Sequence, residues 1–338
     1  MPAIVEFYDL VNLLQNISGK HFVLCDENTY KDCYNTFCKL LGLNIQSIVI
    51  KEGESQKNLD TCEHVWQTLL DEQAGRDALL INLGGGVVSD IGGFVAATYK
   101  RGIKYVNVPT SLLAMVDAAK GGKTGVNFRG LKNIIGVIQP PELVIIHTPF
   151  LKTLPNQHLK NGFAEMLKHA LLEGREELHL LINNVDIHAF YNDDIILKSL
   201  AIKEAIVAQD PNETGLRKIL NLGHTIGHAI EFAAQENANN ILHGEAVALG
   251  LIAALKLSVI KMNFNQNEAD VIIAFIRKNY PSPTWLKSGY KAILEAVLQD
   301  KKNSHQQIKM VLLQAIGQPV YDVSCTLEEV EQVLKELC

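Results

Sequence analysis

The chain has 338 residues, 47% of them hydrophobic and 20% charged, with a formal net charge of −6, a length and mix that suit two globular domains. The acidic balance excludes non-specific nucleic-acid binding, which depends on surplus Lys and Arg to displace counterions. No apolar run reaches the roughly 18 residues needed to span a bilayer, and the longest candidate, Ala246 to Leu255, is cut by Lys256.

From the N-terminus, the pattern predicts strand His21 to Cys25, helix Tyr30 to Leu41, strand Ile45 to Ile50, helix Asn58 to Glu72, strand Ala78 to Leu83, helix Ser89 to Lys100 and strand Tyr105 to Val108. Strands and helices alternating in this way imply parallel crossovers. After Leu154 the period changes, and helices are predicted over Asn156 to Ile182, Asp193 to Ala208, Leu216 to Ala234, Gly244 to Met262, Glu268 to Lys278 and Tyr290 to Leu298. Thr326 and Glu329 have capping-box spacing and should open a last helix ending at Leu337. The expected organisation is an α/β domain over 1–155 and a helical domain over 156–338. Glu6 and Asp9 stand where a secretory signal would be basic, so a cytoplasmic location is expected. Cys25, Cys33, Cys38, Cys62, Cys325 and Cys338 lack the paired spacing of a zinc knuckle and are expected to be reduced thiols.

Strand Ala78 to Leu83 runs into Gly84-Gly-Gly-Val-Val-Ser-Asp90 and then a helical pattern. Glycines at a strand-to-helix turn let amides approach a phosphate, although three glycines also suit a plain tight turn. Glu52-Gly-Glu-Ser-Gln-Lys57 follows another strand at the mouth of the same sheet, where ligands of open parallel sheets bind. The segment Pro109 to Asn127, with Gly121-Gly-Lys123, and then Lys132-Asn133, reads either as an anion-binding loop or as a flexible surface loop. It is not a Walker loop, because Asp117 occupies the place of the first glycine.

In Gly215 to His228, the residues Arg217, Asn221, His224 and His228 recur at spacings of 4, 3 and 4, which on one helix would form a polar stripe. Glu165 and Lys168 share a helix face upstream, and His243 opens a later apolar helix. Single histidines on apolar helices are usually satisfied core residues. Glu165, His224 and His243 together offer one carboxylate and two imidazoles, a three-ligand set with room for a substrate at a catalytic metal.

These motifs occur in one order: Gly84 to Asp90, Gly93-Phe-Val-Ala-Ala-Thr-Tyr-Lys-Arg101, Pro109 to Asp117, Gly121-Gly-Lys-Thr-Gly125, Gly162-Phe-Ala-Glu-Met-Leu-Lys168, Asn221-Leu-Gly-His-Thr-Ile-Gly-His228, His243-Gly-Glu and Asp300-Lys-Lys. In that combination the chain resembles the 3-dehydroquinate synthase family over about Asp26 to Lys302. The resemblance implies a Rossmann-like N-terminal domain, an all-α C-terminal domain, NAD, a zinc (or cobalt) ion and a homodimer. It implies metal ligands Glu165, His224 and His243, and catalytic roles for Asp117, Lys168, Asn221 and His228, with His228 facing the substrate. It further implies substrate contacts from Arg101, Lys123, Asn133, Lys203, Arg217 and one lysine of the pair Lys301-Lys302, here assigned to Lys301. The NAD site it implies comprises Asp26, Glu52, Gly53, Glu54, Ser55, Gln56, Lys57, Gly86, Val87, Val88, Ser89, Asp90, Thr110, Ser111, Lys123, Lys132, Phe150, Leu151, Lys152 and Thr153.

The implied reaction turns 3-deoxy-arabino-heptulosonate 7-phosphate into 3-dehydroquinate and phosphate. It proceeds through transient oxidation by NAD, loss of phosphate, re-reduction, ring opening and aldol closure. An acidic protein needs local Lys and Arg for such a substrate, and the resemblance implies Lys123 and Arg101 with the amide of Asn133 for the phosphate, and Lys203 and Arg217 for the carboxylate. Lys120 and Leu131 depart from the family pattern beside the phosphate segment. The competing readings are another sugar-phosphate cyclase, which needs no carboxylate clamp; a metal-dependent polyol dehydrogenase, which would turn over NAD; and a silent NAD-binding protein, which needs no metal set.

Overall fold

The computed structural model describes residues 3–5, 7–119, 121–184, 186–187, 192–237, 239–299 and 307–337. The chain forms two compact units, Met1–Leu159 with Tyr191–Asp194, and Lys160–Phe190 with Ile195–Cys338.

The first unit is built on a six-stranded sheet in the order β1-β8-β5-β4-β2-β3, every pair parallel. Its strands are β1 (Ala3–Val5), β2 (His21–Asp26), β3 (Gln46–Ile50), β4 (Leu79–Gly84), β5 (Lys104–Pro109) and β8 (Leu143–Ile145). All six residues of β4 are buried, as a strand covered on both faces requires. Alternation along β2 divides the core: Val23 and Cys25 join Leu10 and Leu14 of α1 (Phe7–Asn16) and Phe37 and Leu41 of α3 (Asn35–Leu41). Phe22 and Leu24 join Cys62, Val65 and Leu69 of α4 (Leu59–Asp71) and Ile91, Phe94 and Val95 of α5 (Gly86–Thr98) on the other face. The helix expected from Tyr30 starts three residues earlier and runs without a break to Leu41, as α2 (Glu27–Thr29), capped by Asp26, a π-turn Tyr30–Tyr34 and α3. The helix expected from Ser89 begins three residues earlier, at Gly86.

The glycine-rich segment after Asp117 is not a loop. It forms an antiparallel ribbon of β6 (Lys123–Phe128) and β7 (Leu131–Ile138). Gly125 faces Gly136, and a Cβ on either would lie 2.5 Å or less from a carbonyl oxygen of the other strand. The composition that suggests a loop is here what lets two strands approach closely.

The second unit is mostly helical: α6 (Asn156–Glu173), α7 (Arg175–Asn184), α8 (Asp193–Gln209), α9 (His224–Glu236), α10 (His243–Met262), α11 (Gln266–Asn279), α12 (Leu286–Gln299) and α13 (Leu327–Leu337). Two predicted helices are interrupted: that from Asn156 ends before Gly174, and that from Leu216 is broken at Gly223, whose φ is +77°. The ribbon of β9 (Ile308–Ala315) and β10 (Gln318–Cys325), turning at Gly317 with φ +80°, had no counterpart in the sequence pattern. The capping box at α13 is present, with Thr326 N–H donating to Glu329 Oε2 at 2.8 Å and Glu329 N–H donating to Thr326 Oγ1 at 3.2 Å.

The centre of this unit is α10, buried without a break from Ala246 to Leu255. Each buried Leu or Ile there contributes roughly 1.5–3 kcal/mol of transfer free energy, which is how a helix apolar all round is stabilised inside a protein core. Among the described residues, no helix is long and apolar enough to cross a membrane. Cys25, Cys33, Cys38, Cys62 and Cys325 are free thiols, and burial pushes Cys25 and Cys62 up to about 12.

Candidate metal, substrate and cofactor sites

Three helices of the second unit bring one side chain each to a common point. Glu165 on α6 lies at 1% exposure, with His224 Nε2 3.4 Å and His243 Nε2 3.5 Å from its Oε1. One ligand atom from each of the three falls within 4.8 Å of the others. Lys168, one turn along α6, forms an ion pair with Glu165, yet neither carboxylate oxygen receives an aligned hydrogen bond. A buried, ionised carboxylate with unused acceptor positions is suited to a divalent ion. His224 Nδ1 faces the Leu222 carbonyl oxygen at 3.1 Å, and His243 Nδ1 faces Glu231 Oε2 at 2.9 Å. With each Nδ1 turned outward, both Nε2 atoms face Glu165. A divalent ion such as zinc fits this donor set.

Burial pushes the His224 imidazole down to about 3, aided by Lys168. At His243 burial lowers the value, but the carboxylates of Glu165 and Glu231 at its two ring nitrogens outweigh it and raise the group to about 10. Glu165 is opposed by its burial, but Lys168, His224 and His243 hold it well below the usual carboxylate range.

Glycines set the spacing of these helices. A Cβ on Gly250 of α10 would lie 1.9 Å from the Gly223 carbonyl oxygen, and one on Gly227 of α9 would lie 3.2 Å from the Ala246 carbonyl oxygen. Gly244 meets α6 in the same way: its Cβ would lie 2.0 Å from the Asn161 carbonyl oxygen, and its N–H donates to Asn161 Oδ1 at 2.5 Å. Asn161 and Gly244 stand one turn from Glu165 and next to His243, so the backbone contact fixes the distance between two candidate ligands.

The stripe expected on one helix is divided between two elements. Arg217 and Asn221 lie on the 3-10 helix Leu216–Asn221, while His224 and His228 lie on α9 beyond the Gly223 break. Asp210 organises the preceding turn, accepting from the N–H groups of Thr214 at 3.0 Å, Gly215 at 2.7 Å and Arg217 at 3.0 Å. Those bonds hold its carboxyl below the ordinary range against desolvation. Arg217 is buried, its Nη1 donating to the Pro211 carbonyl oxygen at 2.6 Å, and Asn221 Nδ2 donates to Glu213 Oε1 at 3.0 Å. Lys168 and Lys203 are likewise buried cations. His228 is exposed, its ring centroid 5.2 Å from that of His224.

In the first unit the strand order reverses at β2 and β4, and the residues singled out for a cofactor gather at the carboxyl ends of these strands. Asp26 ends β2, and Gly84 ends β4, where a Cβ would overlap Val88. Gly86, Val87, Val88, Ser89 and Asp90 form the first turn of α5, whose N-cap is Gly85 and carries no side-chain cap. Only the Ala118 Cβ, at 3.7 Å, stands near an added Cβ at Gly86. The Glu52 to Lys57 turn approaches from β3, with φ +99° at Gly53. Glu52 is bonded to Asn28, and the buried Lys57 pairs with Asp90. Thr110 N–H donates to the Gly84 carbonyl oxygen at 3.0 Å, and Ser111 Oγ accepts from Ala114 N–H at 3.3 Å. Asp117 follows in the π-turn Ala114–Ala118.

Val88, Phe150 and Leu151 turn their side chains into the core, so only their backbones are open to a ligand. Lys152 and Thr153 close the turn Thr148–Thr153, and Lys132 is exposed on β7. Asn133 belongs with the cofactor end: its N–H donates to Asn127 Oδ1 at 2.9 Å, and Asn127 Nδ2 donates to Glu54 Oε1 at 2.9 Å. Lys123 pairs with Ile138 at the far end of the ribbon, about 13 Å from the level of Asn133 along the strand. Arg101 lies in the 3-10 turn beyond α5, whose last residue, Thr98, is about 18 Å along the helix axis from Gly86. Lys123 and Asn133 thus stand at opposite ends of the ribbon, and Arg101 at the opposite end of α5 from the glycine turn. Lys301 and Lys302, like Lys120, lie outside the described residues.

Family models of the 3-dehydroquinate synthase N-terminal and C-terminal domains match residues 47–161 and 162–303. The chain belongs to the 3-dehydroquinate synthase family. It is 39% identical over 332 residues to the 3-dehydroquinate synthase of Parabacteroides distasonis, covering 97% of this chain and 94% of that one. It is also 39% identical over 325 residues to that of Pyrococcus furiosus, covering 96% and 93%. Among solved structures, 2-epi-5-epi-valiolone synthase from Streptomyces hygroscopicus subsp. jinggangensis 5008, with NAD+ and Zn2+ bound, superposes with a TM-score of 0.82 at 26% identity, covering 100% of this chain and 96% of that one. A 2-deoxy-scyllo-inosose synthase shares the fold at a TM-score of 0.86 and 22% identity, covering 98% and 95%. A probable glycerol dehydrogenase from Sinorhizobium meliloti shares it more distantly, at 0.60 and 17%, covering 99% and 94%.

Two acidic residues of this family member escaped the sequence reading. Glu213 lies in the Asp210 turn at φ +58°, bonded to Asn221, and Glu231 lies against His243. Glu213 had no helical period to mark it. Glu231 stands seven residues after His224, so helical phase alone puts it on the His224 face.

Proposed function

We propose that the chain converts 3-deoxy-arabino-heptulosonate 7-phosphate to 3-dehydroquinate and phosphate, using NAD and a divalent metal, as a cytoplasmic homodimer. The observation that carries the reading is the Glu165, His224 and His243 cluster, with its buried carboxylate lacking an aligned donor, in a chain whose near-full-length relatives are named for this reaction. When bound, NAD supplies reversible hydride acceptance and the metal supplies Lewis acidity at substrate hydroxyls.

The protein's own groups supply the rest. Arg217 and Lys203 are buried cations suited to a carboxylate, since charge-assisted pairing is strong where water is excluded. Arg217 is held in place through its backbone by Asp210 and through its guanidinium by Pro211. Asn221 and Glu213 form a donor–acceptor pair able to orient a hydroxyl or carry its proton. Lys168 sits where its ammonium stabilises negative charge gathered at Glu165. The uncapped first turn of α5, after glycines that keep side chains out of the way, suits a pyrophosphate.

Structural likeness to 2-epi-5-epi-valiolone synthase supports a second reading, a cyclase acting on a different phosphorylated sugar. The buried Arg217 and Lys203 favour the acidic substrate. The test is phosphate release and dehydroquinate formation from the heptulosonate phosphate, with and without a chelator, while NADH absorbance is followed. Chelator-sensitive product without net NADH is expected. No turnover by protein loaded with zinc and NAD would refute the assignment, and net NADH from a simple polyol would point to a dehydrogenase.

A further inference from the structure

His243 has a carboxylate at each ring nitrogen. Nε2 lies 3.5 Å from Glu165 Oε1, and Nδ1 lies 2.9 Å from Glu231 Oε2. The Glu231 side chain is 11% exposed, so water screens it little. Two donor sets can be drawn here, Glu165 with His224 and His243, and His228 with Glu231 and His243. Both need His243, and one neutral imidazole has a single free lone pair. The first set has the buried carboxylate without an aligned donor; in the second, Glu231 is already within hydrogen-bond reach of Nδ1.

We propose that Glu231 is a positioning residue for the metal. Its carboxylate accepts the Nδ1–H of His243, which selects the tautomer and ring plane that present Nε2 beside Glu165 Oε1 and His224 Nε2. The equivalent contact of His224 is a neutral carbonyl, that of Leu222. A carboxylate orients its imidazole and also makes it a stronger donor to the metal. Helix α9 thus provides one ligand, His224, and two turns later the support for another. The inference rests on reading Glu165, His224 and His243 as the metal site.

The test measures zinc affinity of the full-length protein, stripped of metal, by competition with a chromogenic chelator, together with the visible spectrum after loading with cobalt. The unmodified protein is expected to bind one equivalent and Glu165→Ala to lose it. Glu231→Ala is expected to bind about 10–100-fold more weakly with an altered cobalt spectrum. Glu231→Gln, nearly isosteric and still an acceptor but uncharged, should fall between, with circular dichroism unchanged. Native affinity and cobalt spectrum in both Glu231 variants would overturn the positioning role and leave the metal site standing. A second equivalent of zinc, lost in Glu231→Ala, would overturn it by making Glu231 a ligand. No metal bound by the unmodified protein would remove the site itself and this inference with it.

Discussion

Between about pH 5 and pH 9 the metal-free cluster holds one displaceable proton, and it resides on His243. Glu165 is ionised because its value is depressed, and His224 is neutral above about 3, whereas His243 is raised to about 10. A metal must displace that proton to reach Nε2. Apparent zinc affinity should therefore rise about tenfold per pH unit across this range and level off above the His243 value. Calorimetry in buffers of different ionisation enthalpy should report close to one proton released per ion; a pH-independent affinity would contradict the assignment. The same proton stabilises the metal-free fold, fully below the ordinary histidine value of 6.5 and progressively less as pH rises through about 10. The sequence made the residue types legible here, because Glu165, His224 and His243 are uncommon in apolar helices. It did not disclose the Glu231 contact, because a carboxylate on a helix ordinarily reads as a solvated surface group.

At the scale of elements, glycine decides where helices end and how closely they cross. The spacing from Arg217 to His228 is compatible with one helix, but a 3-10 helix is closed at Leu222, whose ψ is 124°, and the left-handed backbone at Gly223 precedes α9. Periodicity cannot see such a break, since Gly is tolerated within helices at a modest cost. The ribbon of β6 and β7 escaped for the opposite reason: Gly125 and Gly136 resemble loop residues until their mutual packing is seen. By contrast, β4 and α13 were readable, the first from an unbroken apolar run and the second from its capping box. Gly250→Ala tests the helix crossing directly. The new methyl would meet backbone of Gly223 and Gly227 rather than a movable side chain, so a loss of about 1–3 kcal/mol is expected. Zinc affinity should fall with it as His224 and His243 separate. Gly174→Ala, whose Cβ would meet only the end of Glu177 at 3.6 Å, should change stability by less than about 0.5 kcal/mol. Chemical denaturation compares the two variants; equal behaviour would dismiss the crossing as the determinant.

For the whole molecule, the proposed ligands begin their effects in different units. The proposed metal ligands come from α6, α9 and α10 of the second unit, and the proposed pyrophosphate cradle from the β4 to α5 turn of the first. A ligand that binds only the folded state stabilises what it touches by mass action, about 2.7 kcal/mol at a concentration 100 times its dissociation constant. Hydrogen exchange resolves where that stabilisation is felt, because local opening need not involve the whole chain. Zinc alone should slow exchange first at the N-terminal turns of α9 and α10 and around Glu165, and NAD alone at Gly84 to Asp90 and Gly53 to Lys57. The amides of Gly86 to Val88 are the sharpest probe, since no side chain caps them and a bound phosphate would supply the missing acceptor. Protection of α9 and α10 by NAD with none at Gly84 to Asp90 would refute the cradle, while zinc protection confined to the first unit would refute the metal assignment. The two ligands can therefore fail independently, which an activity assay cannot reveal.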